Sequence, residues 1–118
     1  MNSDQRIEAL RDLIELREPI SGATGRLRSF PWDSDSALVT LTMNDLIRVI
    51  DGYLRGELSE TEVEEWAEAI EGRDDIGYES YAGGTLKQIV FELANPLLAT
   101  SIDHTQALRW KEVITRPD

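Results

Sequence analysis

Apolar residues recur along this chain at helical intervals in five separate stretches. In the first, Asp4 to Arg17, Ile7, Leu10, Leu13 and Ile14 form one stripe, and Pro19 cannot continue it. The second starts at Thr42, an N-cap with Asp45 three residues on. Met43, Leu46, Ile47, Ile50, Tyr53 and Leu54 share its apolar face, and Gly56 is placed to close it. The third opens on Ser59 with Glu62 as a capping box. Val63, Trp66, Ala67 and Ile70 follow at i, i+3, i+4, i+7, and Gly72 ends the stretch. The fourth runs from Thr85, with Gln88 three residues on, to Asn95 before Pro96. Leu86, Ile89, Val90, Phe91 and Leu93 cover most of its circumference, which predicts a central helix. The fifth follows Asp103, with Gln106 three residues on and Ala107, Leu108, Trp110, Val113 and Ile114 as its core positions.

Only Arg55 to Leu58 link the second and third stretches, and so short a link favours an antiparallel helical hairpin. Residues 18–41 are less regular. EPISGATGRLRSF fits either a loop or a short extra helix. SALVTLT has strand composition, but no partner strand is evident, so an extended segment is expected. The fold class is all-α: an irregular bundle of four to six helices, with a loop or extended segment at about 18–41, in one domain over residues 1–118.

Composition narrows the chemistry. There is no cysteine and one histidine, His104, so thiolate chemistry and paired-histidine mechanisms are excluded. No apolar run approaches the ~20 residues needed to span a bilayer, and the first residues lack the apolar core of a secretory signal. A cytoplasmic location is the expectation. The net charge is −11, and residues 37–82 carry twelve acids against three arginines, a local charge of −9. Such a surface repels nucleic acid and anionic membrane and attracts a basic protein.

The acids are concentrated in SETEVEEWAEAIEGRDD, residues 59–75. On a helix, Glu60, Glu64, Glu68 and Glu71 fall within about 80° of one another, beside the apolar face. Like charges four apart each weaken a helix by about 0.2–0.5 kcal/mol. Glu71, Asp74 and Asp75 also lie at or beyond the negative helix end, where acids are unfavourable. Stability alone would place lysines here. An acidic face can serve solubility only, as on a structural or regulatory subunit, but the shortage of local bases points to a docking face for a basic partner. Asp74, Asp75, Tyr78 and Glu79, in the polar stretch R-D-D-I-G-Y-E, extend that face.

Three other chemistries can be weighed. Glu64, Glu65 and Glu68 supply an E-E-x-x-E pattern, and Glu92 opens E-L-A-N on the next helix. All-α nucleotide pyrophosphatases of the MazG kind hold magnesium with E-E-x-x-E and E-x-x-D, so Glu64, Glu65, Glu68 and Glu92 form an alternative metal set for a nucleotide hydrolase. Here the second motif ends in Asn95, not aspartate. A calcium loop started at Asp33 fails, because its sixth position is Leu38 and its twelfth Asn44. Asp33 and Asp35 fit a turn, and Trp32 is expected to cover the core edge while partly open to solvent. Ser101, Asp103 and His104 stand close in sequence, which is no ground for a triad. No cofactor is expected.

The run D-L-I-R-V-I-D-G-Y-L-R-G-E-L-S-E-T-E-V-E-E-W, Asp45 to Trp66, resembles small acidic bacterial immunity proteins of the colicin D immunity type. W-A-E-A-I-E-G-R-D-D-I-G-Y-E and I-V-F-E-L-A-N-P resemble a small bacterial family of unassigned function. Part of the first resemblance is a helix C-cap running into a capping box, which unrelated hairpins share. The resemblance implies a non-enzymatic helical protein whose acids cover the basic active site of a toxic nuclease. It implicates Glu57, Glu60, Glu64, Glu68 and Glu71, with Asp74 and Asp75 beside them, and a basic protein, a toxin, as partner.

Overall fold

The computed structural model describes residues 3–79 and 83–115. Among them are six helices and two short strands: α1 (Ser3–Ile14), α2 (Ile20–Leu27), β1 (Val39–Leu41), α3 (Met43–Leu54), α4 (Glu60–Ile70), β2 (Ile76–Tyr78), α5 (Gly83–Ala94) and α6 (His104–Thr115). The fold is an all-α irregular bundle with one small parallel ribbon.

Capping chemistry sets several helix ends. The Thr42 hydroxyl accepts from Asp45 N at 3.2 Å, and Asp45 Oδ2 accepts from Thr42 N at 2.9 Å. Ser59 and Glu62 repeat this at 3.1 and 2.9 Å. Each box satisfies two backbone donors that a helix start leaves open. Asp103 Oδ1 accepts from Gln106 N at 2.8 Å and starts α6. Gly56 and Gly72 close α3 and α4 with φ of +79° and +82°, the left-handed turn that glycine adopts without strain. The helix expected from Thr85 instead begins at Gly83, so Thr85 lies in its first turn. α1 stops at Ile14, short of the expected Arg17. Leu16 takes the left-handed turn there at φ 56°, and Arg17 N donates to Asp12 O at 3.0 Å.

Residues 18–41 hold the short extra helix, one of the two readings of EPISGATGRLRSF, and an extended SALVTLT. α2 starts straight after Pro19 and buries Ile20, Ala23, Thr24 and Leu27. SALVTLT does have a partner: β1 pairs in parallel with β2 in the register Val39–Ile76, Thr40–Gly77, Leu41–Tyr78. The partner lies within R-D-D-I-G-Y-E, where flanking charges and a glycine disguise a three-residue strand. Gly77 lets the strands meet closely here: a Cβ there would sit 3.1 Å from the Ala37 Cβ and press it aside.

The core gathers Leu10 and Leu13 of α1, Leu41 of β1, Leu46 and Val49 of α3, and Leu86, Val90 and Leu93 of α5 around α4. α4 contributes Val63, Trp66, Ala67 and Ile70, all exposed by 1% or less, and packs against α2, α3 and α5. It therefore shares the central place expected of α5, whose Phe91 is turned outward. α3 and α4 touch, as their short link requires, but α4 lies mainly on α5 and α3 mainly on α6. On α6, Ala107, Trp110 and Ile114 are buried, whereas Leu108 and Val113 face out. Among the described residues, no helix is long and apolar enough to cross a membrane.

Candidate functional site

Burial of one face of α4 decides what the other presents. With Val63, Trp66, Ala67 and Ile70 turned inward, the row Glu60, Glu64, Glu68 and Glu71 must face out. Glu60, Glu68 and Glu71 are exposed and Glu64 half-buried. Asp74, just past the helix, is exposed as well. The row is bordered on both sides. Toward α5, the Asn95 amide donates to Glu71 at 3.2 Å, and Pro96, Ser101 and Ile102 line a shallow hollow with Glu60 and Glu64. Toward α2, the Thr24 hydroxyl donates to Glu65 Oε2 at 3.0 Å. On that side a groove of about 680 Å³ runs between the end of α2, the 28–32 segment and α4.

The charges of this row are not balanced from within. Asp12, Glu18, Asp45, Asp51 and Asp75 each meet an arginine or lysine. Among the described residues, Glu60, Glu64, Glu68, Glu71 and Asp74 meet none. The Glu68 carboxyl is pushed above its ordinary value. Partial burial is the main cause, followed by hydrogen bonding to Glu64 and by the charges of Glu64, Glu65 and Glu71.

A raised carboxyl pKa favours the protonated form in the folded state. Its contribution to stability is therefore complete at low pH and lost as pH rises through the folded value. Glu68→Gln is accordingly expected to stabilise the fold at neutral pH, by about 0.2–0.5 kcal/mol for each like-charge pair relieved. That advantage should shrink as acidification protonates Glu68 in the parent. Urea melts of the two proteins across the acidic range check the sign.

Several expected docking residues are placed elsewhere. Asp75 is fully buried and cannot touch a partner. Arg6 Nε donates to its Oδ2 at 2.9 Å, and Arg73 grips it through Nε at 2.9 Å and Nη2 at 3.0 Å. Two guanidiniums compensate its charge. Glu57 is exposed but ion-paired with Arg55 at 3.2 Å, and it lines a different groove with Glu15, Glu18 and Arg48. Tyr78 is half-buried in β2, where burial and then the Glu71 charge raise its pKa. Glu79 is half-buried, its N–H donating to Leu41 O and its Oε1 accepting from Met43 N at the start of α3. The expected face thus contracts to Glu60, Glu64, Glu68, Glu71 and Asp74, with Glu65 at its edge.

The alternative metal set is not assembled. Glu92 Oε1 accepts from Trp110 Nε1 and Oε2 from Gln88, both at 2.9 Å, while Glu65 is turned to Thr24. Among the described residues, no three histidine or carboxylate side chains converge in an arrangement that could hold a metal ion. His104 lies against the Tyr53 ring, centroids 5.2 Å apart.

Two features of the site carried little sequence signal. Trp32 is 61% exposed, more open than a residue covering the core edge, and Phe30 stands half-exposed beside it at the groove. Leu97 and Leu98, directly after Pro96, are 100% and 78% exposed. An aromatic or leucine outside a helical stripe has no period to declare its direction. No protein-family model, curated protein or solved structure matches this chain.

Proposed function

We propose that this protein is a non-enzymatic acidic docking module. It covers a basic surface on another protein, as an immunity protein or antitoxin in the cytoplasm covers a toxin. One observation supports this above the rest: the outward face of α4 carries a row of carboxylates that, among the described residues, meet no cation, whereas Asp12, Asp45, Asp51 and Asp75 each have one. The row's like charges cost the helix stability, and the Asn95 amide that donates to Glu71 supplies no counter-charge. A basic partner would supply the missing counter-charges and associate quickly under electrostatic steering.

The test is a pull-down at low salt followed by a salt gradient, run with the parent and with a Glu64→Lys, Glu68→Lys, Asp74→Lys variant. A basic protein should bind the parent and elute as salt screens the contact. The variant should keep its helical circular dichroism and lose the partner. Equal retention on both columns would sink the proposal.

A further inference from the structure

The groove beside α4 has an unusual mouth. Its floor and rim include Leu27, Phe30, Trp32, Glu65, Glu68 and Glu71. The exposed indole of Trp32 is not on a loose loop. Three successive backbone carbonyls there are held: Pro31 O accepts from Arg73 Nη2 at 3.0 Å, Trp32 O from Asp74 N at 3.0 Å, and Asp33 O from Arg6 Nη2 at 2.8 Å. The two arginines are themselves fixed by the buried Asp75. A large apolar ring is thus held in the open, next to carboxylates that neutral donors orient: Thr24 on Glu65 and Asn95 on Glu71.

We infer that this groove is an arginine pocket, in which the guanidinium of a basic partner lies on the Trp32 indole and donates to the carboxylates of Glu65 and Glu68. This rests on the acidic docking function and specifies how the partner is recognised. Charge complementarity selects the occupant. Three carboxylates line the groove against Arg28, and Arg73 is turned to Asp75 and Pro31 O. A second copy of the chain, with net charge −11, is a poor occupant. Arginine suits the groove better than lysine, because a planar guanidinium stacks on an aromatic face while presenting a fork of N–H donors at its edge.

The test uses the full chain and two short peptides, one alternating glycine with arginine and one glycine with lysine. The three indole N–H signals are followed by nitrogen-edited NMR. Trp66 and Trp110 are buried and donate to Leu13 O and Glu92, so Trp32 is the open reporter. Both peptides should bind in a salt-sensitive way and shift backbone signals around Glu64 and Glu68. The arginine peptide should also shift the Trp32 indole and bind about two- to fivefold tighter than the lysine peptide. Trp32→Ala, at an exposed position, should abolish that preference and leave the remaining binding. If the α4 signals move but the Trp32 indole does not, or if the preference survives Trp32→Ala, the arginine pocket is wrong and the acidic docking face stands. If neither peptide shifts any signal, both fall.

Discussion

Replacing Asp75 by alanine is expected to destabilise the protein by about 3–5 kcal/mol, the usual effect of removing one member of a buried charge cluster. For a chain of this size that lowers the melting temperature by roughly 10–20 °C. The Asp75 side chain is completely buried, and Arg6 and Arg73 are exposed by only 14% and 11%. Without the carboxylate, two nearly buried guanidiniums confront each other with no counter-charge, and refilling the space with water compensates them incompletely. The consequences should spread, because these arginines also hold the carbonyls of Pro31 and Asp33. Asp74→Ala is the control. That side chain is exposed and makes no ion pair among the described residues, so its loss should stay within about 0.5 kcal/mol. Thermal melts of the two variants decide the matter: equal stabilities would show that the Arg6–Asp75–Arg73 cluster does not hold this corner together.

The contrast between Asp74 and Asp75 also shows where sequence reasoning stopped. As a polar loop, the two acids look equivalent, and both were natural members of a docking face. In the turn that leads into β2, Asp74 is left in solvent while Asp75 is buried between Arg6 and Arg73. Nothing local announces that strand. It has three residues, its partner β1 lies more than 30 residues earlier in the chain, and Arg6 is 69 residues from the acid it meets. Parallel pairing and long-range ion pairs leave no periodic trace. Helix ends do leave one, which is why Thr42–Asp45, Ser59–Glu62, Asp103–Gln106, Gly56 and Gly72 were legible at single-residue level. Apolar stripes were legible as well, except where a helix presents an apolar residue to solvent, as α6 does with Leu108 and Val113.

The acidic row was legible for the same reason as the caps: both depend on helical spacing alone. What lies beside the row was not. Trp32, Phe30 and the Pro96–Leu98 turn reach it only through packing of α4 between α2 and α5. The site is therefore divided between a helix whose charges can be read directly and flanking segments that only the tertiary fold brings alongside.

Trp66 couples that outer row to the core, and Trp66→Ala should destabilise the fold by about 3–5 kcal/mol. The side chain is completely buried and is the largest among the fully buried ones described. Its indole Nε1 donates to Leu13 O at 3.0 Å, tying α4 to the end of α1. Alanine would leave a large cavity in the centre of the bundle and break that tie. Trp66→Phe separates the two effects, since it keeps most of the volume and removes the donor. Its expected loss is about 1–2 kcal/mol, moderated because Leu13 O also accepts from Leu16 N. Both variants should unfold at lower urea with little change in the slope of the transition. If docking uses the outer face of α4, conditions that keep Trp66→Phe folded should leave its binding intact. Glu64→Lys with Glu68→Lys should do the reverse, keeping the fold and losing the partner. A Trp66→Ala protein as stable as the parent would mean that α4 is held by its neighbours without its indole, and the row's position would need another anchor.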